Sequence, residues 1–127
     1  MFNPRVVVTG GRDYKNRKLV YAALDRIYNS NYIGRMTLIE GGALGADRFA
    51  QDWAKQAHID VTLLTMDADW DKYGDSAGFR RNVDMVNQCP DICIAFKGGK
   101  GTKGMVDLCR ERKIRTHLIG WSYRALS

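Results

Sequence analysis

The chain has 127 residues, 45% of them apolar, and its 20 Lys and Arg against 14 Asp and Glu give a formal net charge of +6. That length suits one domain spanning residues 1–127, able to bury about two-thirds of its unfolded surface, and no apolar run approaches the roughly 18 residues of a membrane-spanning helix. Three cysteines without a Cys-x-x-Cys pair, and two histidines far apart, point away from a metal site.

The opening residues Met1-Phe2-Asn3-Pro4-Arg5 run straight into an apolar stretch with no signal-peptide pattern. Cytoplasmic residence with reduced, mostly buried thiols is the expectation. The positive charge suits nucleic acid, an acidic ligand or only a solvated basic surface, and its scatter along the chain is what a solvated surface usually shows. It gathers at residues 15–18, Arg80-Arg81, 97–103 and 110–115, and two of these clusters adjoin glycine-rich segments.

Taken in order, Arg5–Thr9 (RVVVT) is short and β-branched and predicts a buried strand. Residues 16–29 place Leu19, Val20, Ala23, Leu24 and Ile27 at helical spacing. Residues 37–40 (TLIE) predict a second strand, and residues 46–57 a helix with Phe49, Ala50, Trp53, Ala54 and Ala57 on one face. A third strand follows over residues 61–65, then an irregular polar connection over residues 66–76. Residues 78–88 carry Val83, Met85 and Val86 in helical register and end at Cys89-Pro90. Ile92–Phe96 (ICIAF) predicts the fourth strand, residues 103–112 a short helix, and Arg115–Ile119 (RTHLI) the fifth strand. Residues 121–127 read ambiguously.

Strands that are apolar throughout and alternate with helices indicate a parallel sheet covered on both faces. Right-handed crossovers then give an α/β, Rossmann-like, doubly wound sheet of about five strands, expected in the order 3-2-1-4-5. Ligands bind such sheets at the carboxyl edge, where the winding reverses between strands one and four.

Three strands run into a glycine pair: Gly10-Gly11 after strand one, Gly41-Gly42 with Gly45 after strand two, and Gly98-Gly99 with Gly101 after strand four. Glycine there permits positive φ and close approach to the main chain, and a helix start offers unpaired N–H groups to an anion. The pattern is neither Gly-x-Gly-x-x-Gly nor a Walker A loop, which disfavours an ordinary dehydrogenase or ATPase. Around the same rim lie Arg12, Asp13, Asp47, Arg81, Asn82 and Thr102. Asp47 suits a helix-start carboxylate or a ligand contact, and Thr102 suits an N-cap or a phosphate contact. Arg81 and Asn82 fall in the first predicted turn of their helix, a poor place for a cation unless an anion shares the space. Trp70 and Tyr73 are candidates to stack on a base or to close the core edge, with Trp70 leaning to the core.

On these residues the chain resembles the SLOG superfamily, the Rossmann-like group named for DprA/Smf and the LOG enzymes, and within it the YspA, YpsA-related branch. The matching segments are VTGGRDY at residues 8–14, EGGALGADRFAQDWA at 40–54, ADWDKYGDSAGFRRNVDMV at 68–86 and AFKGGKGTKGMVDLC at 95–109. The resemblance implies a nucleotide or nucleotide-derived ligand. LOG enzymes cleave the N-glycosidic bond of a nucleoside monophosphate with a PGGxGTxxE motif and an upstream Arg-Lys. Here Gly98 to Thr102 keep the phosphate-cradling part and Arg81 matches the arginine. Asn82 stands at the lysine position and Met105 at the glutamate position.

Methionine supplies neither charge stabilisation nor a base for glycosidic hydrolysis. Asp107 lies on the far side of the helix, which leaves Asp13 and Asp47 as weak catalytic candidates. The expectation is therefore a module that binds or senses a nucleoside monophosphate or an ADP-ribose-like molecule, with no further cofactor. A phosphoribohydrolase with a relocated carboxylate is the alternative. DprA-like binding of single-stranded DNA is the second alternative, not favoured because the charge is not interleaved with aromatic residues. Homo-oligomerisation stays open, with Trp53 and residues 121–126 as either an apolar patch or core.

Overall fold

A computed structural model describes residues 3–30, 34–56 and 58–121. Its five strands are β1 (Arg5–Thr9), β2 (Arg35–Glu40), β3 (Asp60–Thr65), β4 (Ile92–Phe96) and β5 (Arg115–Ile119). All neighbours pair in parallel, in the order β3-β2-β1-β4-β5. The helices are α1 (Arg17–Asn29), α2 (Ala46–Ala54), α3 (Trp70–Tyr73), α4 (Ala77–Val86) and α5 (Lys100–Glu111).

Side-chain alternation along the buried strands feeds two cores. Val6 and Val8 of β1 face a cluster with Leu24 of α1 and Ala50 and Trp53 of α2. Val7 between them points the other way, into a cluster with Met85 of α4 and Met105 and Cys109 of α5. Each face thus carries one helix pair, α1 with α2 and α4 with α5. Trp53 lies wholly inside the first core and its Nε1 donates to Asp25 at 2.8 Å, so it supplies no surface patch. Of the rest of that predicted patch, Trp121 is half-buried and its Nε1 donates to Ala95 O at 3.0 Å, while residues 122–126 lie outside the described residues, as does Ala57 at the end of the predicted second helix. In the second core the hydrogen bond to Cys109, together with burial, pushes the Cys93 thiol up and keeps it unreactive.

Several boundaries differ from the sequence expectation for local reasons. The second and third strands each begin earlier, because Arg35 pairs with Asp60 across the ladder and the side chains approach to 3.7 Å. Asn16 is the cap of α1, accepting the Leu19 amide at 3.0 Å. The connection over residues 66–76 is not irregular: it forms α3 and a 3-10 turn at Gly74–Ser76, with Asp69 capping α3 at Lys72 N. Because α4 begins at Ala77, Arg81 sits in its second turn rather than its first. The fifth helix starts three residues before the expected position, with Gly99 as its cap residue and Thr102 inside its first turn. Glycine is least costly in that turn, where the N–H groups have no intrahelical partner in any case.

Candidate functional site

The winding reverses between β1 and β4, and a cleft of about 460 Å³ opens over their carboxyl ends. From β1 and its loop come Thr9, Gly10, Gly11 and Arg12. Ala43 and Asp47 come from the β2–α2 segment, Arg81 and Asn82 from α4, and Gly99, Lys100, Gly101, Thr102 and Gly104 from the start of α5. Trp70, Phe79 and Asp75 form its mouth.

Not every expected residue faces that space. Asp13 is exposed and lies outside the cleft lining, as do Gly41, Gly42, Gly45 and Gly98. Those glycines lock loops to one another. A Cβ on Gly45, which sits at φ +77°, would collide with the Gly11 carbonyl, and one on Gly98 would collide with Thr102 Oγ1 and press on Gly11 N. Gly42, at φ +74°, is closed off by Asp67, and Gly41 by the Arg81 guanidinium. Gly10 lines the cleft yet is also packed against Ala46, 2.5 Å from where its Cβ would stand. By contrast Gly99, Gly101 and Gly104 face open space.

The two glycine-led helix starts therefore differ. At α2 the Ala46 amide donates to Gly11 O at 3.4 Å, while Asp47 Oδ2 accepts from Gly41 N and Ala43 N at 3.2 Å each. Neither helix has a side-chain cap, but the first turn of α5 lies in the cleft. Asn82, which also lines the cleft, secures that turn by donating to Gly101 O at 3.1 Å.

Arg81 donates from Nη1 to Gly41 O at 2.6 Å and from Nε to Asn82 Oδ1 at 3.2 Å. It clamps the β2–α2 loop while its side chain also lines the cleft. Gly41 is thus gripped at both ends of its backbone, N–H by Asp47 and C=O by Arg81. Asp47 itself is 6% exposed, and its Oδ1 is buried without a hydrogen-bond partner. Burial, with the Glu40 charge adding to it, pushes its carboxyl up to about 7 against the pull of Ala43 N–H, Arg81 and Gly41 N–H.

Glu40 was not among the expected site residues. It is 0% exposed, and its Oε1 accepts from Gly42 N at 2.7 Å and Gln51 Nε2 at 2.9 Å, while Oε2 accepts from Thr65 Oγ1. A carboxylate closing an apolar strand just before a glycine pair was the visible signal. Trp70 departs from the expectation in the other direction: it is 51% exposed at the mouth, beside Phe79 at 62%, and is no core residue. Tyr73 lies outside the cleft, with the Arg80 guanidinium 4.4 Å above its ring. Met105 is 0% exposed in the α4–α5 core, so that helix position faces the sheet and not the cleft. Asp107 is exposed. Among the described residues no helix is long and apolar enough to cross a membrane, and no group of three or more His, Cys, Asp or Glu is placed to hold a metal ion.

A doubly wound parallel sheet with a glycine-lined cleft over its switch point defines a Rossmann-like α/β domain. The chain belongs to the YspA, cpYpsA-related SLOG family, whose pattern matches residues 4–73, more than half its length. It is 40% identical over 100 residues to the Gene 61 protein of Mycobacterium phage D29, a match covering 76% of this chain and 78% of that protein. Among solved structures it is similar to the Moco Carrier Protein from Chlamydomonas reinhardtii, with a TM-score of 0.65 at 18% identity, covering 98% of this chain and 80% of the other. That identity is a likeness of fold. The family match ends at Tyr73, before Arg81 and the α5 start.

Proposed function

We propose that the chain binds a nucleotide or nucleotide-derived ligand, a nucleoside monophosphate or an ADP-ribose-like molecule, with a phosphate at the start of α5. One observation carries this reading: the first turn of α5 has no side-chain cap, is free of Cβ atoms at Gly99 and Gly101, and opens into the cleft that Arg12 and Lys100 also line. Unpaired N–H groups and the positive helix end attract an anion. The cleft volume lies within the range of small-ligand sites, roughly 300–1,000 Å³. Trp70 and Phe79 offer planar faces at the mouth for a base. The ligand needs no resident cofactor beside it, and the cytoplasm is the compartment that fits its reduced thiols. That the Moco Carrier Protein is a carrier of a small molecule on the same fold accords with binding in place of turnover.

A second reading, hydrolysis of an N-glycosidic bond, finds its support in Asp47, a buried carboxyl raised to about 7 inside the cleft. Thermal-shift screening against AMP, ADP, NAD and ADP-ribose, with adenosine as the phosphate-free control, tests both. Stabilisation by the phosphorylated compounds and not by adenosine supports binding. Release of free base, lost in Asp47→Ala, supports the hydrolase. No response to any phosphorylated compound overturns the proposal, and salt-sensitive oligonucleotide binding in its place would favour a DNA-binding role.

A further inference from the structure

The sheet carries a second groove, away from the cleft, on the face that α1 covers. A space of about 550 Å³ lies between α1 and the strands β4 and β5, larger than the cleft at about 460 Å³. Its origin is topological. On the opposite face α5 packs against both β4 and β5, whereas on this face α1 packs with α2. Among the described residues the groove has α1 as its one helical wall. The strand register sets its floor: Ile92 lies beside Arg115 and Ile94 beside His117, with Ile119 further along the same face of β5.

The groove is polarised along its length. A Cβ on Gly120 would stand 3.6 Å from Leu19 Cδ2, so the end of β5 meets the start of α1, and Leu19 and Ile119 wall that end. The other end, where α1 finishes and β5 begins, carries Arg26, Ser30 and Arg115. Between the two ends the lining is apolar apart from His117. Among the described residues no acid lines the space, and neither Arg26 nor Arg115 has an ion pair. A place in the last turn of α1 suits Arg26 through the helix dipole. Arg115 stands on a strand, where no dipole asks for a cation. Two guanidinium groups at one end of an apolar groove repel each other, and a shared anion turns that repulsion into attraction.

The matching chemistry is an apolar chain with one anionic head. The run from Arg115 to Ile119 spans about 13 Å, the length of an extended chain of about ten carbons. The volume lies within the roughly 300–1,000 Å³ of small-ligand sites. We propose that this groove binds an amphipathic carboxylate of medium chain length, with its alkyl chain along Ile92, Ile94 and Ile119 and its carboxylate between Arg26 and Arg115. The site is separate from the nucleotide cleft and does not depend on the reading of it.

Titration of the full chain with decanoate, below its micelle concentration, tests the proposal through the two histidines, His58 and His117. Saturable NMR shifts of the His117 ring, with the exposed His58 unmoved, are the expected result. Decanol should bind at least about tenfold more weakly for want of the charge-assisted contact, and decyltrimethylammonium should not bind. Arg26→Gln together with Arg115→Gln exchanges two exposed cations. The pair should cut decanoate affinity at least about tenfold and leave decanol affinity within about twofold. A His117 ring that decanoate leaves unmoved overturns the proposal. So does equal affinity for decanoate and decanol, or a decanoate affinity that survives both substitutions. His117 shifts that appear on dilution of a self-associating chain, or only after residues 122–127 are removed, would give the groove to a second copy or to the chain's own segment and overturn it as well.

Discussion

The β2–α2 and β4–α5 loops look alike as sequence, each a glycine pair at a strand end followed by a third glycine and a helix. In space they are opposites. The first is filled by protein: Gly11 O takes the Ala46 amide, Asp47 takes two loop amides, and Arg81 takes the Gly41 carbonyl. The second is left open on its cleft side, where a Cβ added at Gly99 or Gly101 would meet nothing within 4 Å. Glycine thus answers two different demands, close loop packing in one case and exposed backbone N–H groups in the other. A glycine pair identifies neither by itself.

Substitutions at the two loops should separate accordingly. Gly45→Val places a β-branched side chain at positive φ against the Gly11 and Arg12 backbone. It should cost about 5 kcal/mol, read as a lost or greatly lowered denaturant midpoint. A fully stable Gly45→Val protein would break the claim that this loop is locked.

The Asp47 carboxyl provides the next largest effect. Its carboxyl, pushed up to about 7 in the fold, lies above its ordinary value of 3.8, so the folded state keeps a proton that the unfolded chain has released. Stability from this group is therefore highest below the unfolded value and falls as pH rises through the folded one. Relative to Asp47→Asn, the wild-type protein should lose at most about 4 kcal/mol between pH 4 and pH 8. A pH-independent difference between the two proteins would show that Asp47 is not a strained buried acid.

Arg81→Ala leaves the buried Gly41 carbonyl without its donor. We expect about 2 kcal/mol of destabilisation, together with a further rise of the Asp47 carboxyl as its nearby cation disappears, measurable by carboxyl titration in NMR. Gly101→Ala should change stability by no more than about 0.5 kcal/mol, since alanine suits a helix start at least as well as glycine. The same change should weaken nucleotide binding by placing a methyl group in the cleft. Strong destabilisation by Gly101→Ala with unchanged binding would reverse the proposed division between the loops.

How much of this was legible in the sequence follows from which interactions are local. The short apolar runs at Arg5–Thr9 and Ile92–Phe96 read as buried strands, and alternation with helices then implies a parallel sheet, whose order 3-2-1-4-5, expected from the doubly wound class, is the one found. The start of α5 was hidden because Gly99 and Gly101 have poor helix propensity, which matters little in a first turn that has no intrahelical N–H partners. Trp70 read as core because large aromatic residues usually are, yet α3 is too short to carry it under the sheet. For the site, the sequence marks the right rim but not its division of labour. Arg81 belongs near an anion by motif, and only the chain path reveals that the Gly41 carbonyl already occupies Nη1. The orphan Oδ1 of Asp47 likewise depends on how the loop curls over Oδ2, a long-range outcome with no local pattern.

The central claim is that the ligand's phosphate meets the open start of α5 and not the closed start of α2. Backbone amide shifts during an AMP titration test it directly, because both helix starts report in one spectrum. The account predicts saturable shifts at Gly99, Lys100, Gly101 and Thr102, with the Ala46 amide, already bonded to Gly11 O, little changed. Shifts centred on Ala46 and Asp47 with none at the start of α5, or none at either site, would contradict it.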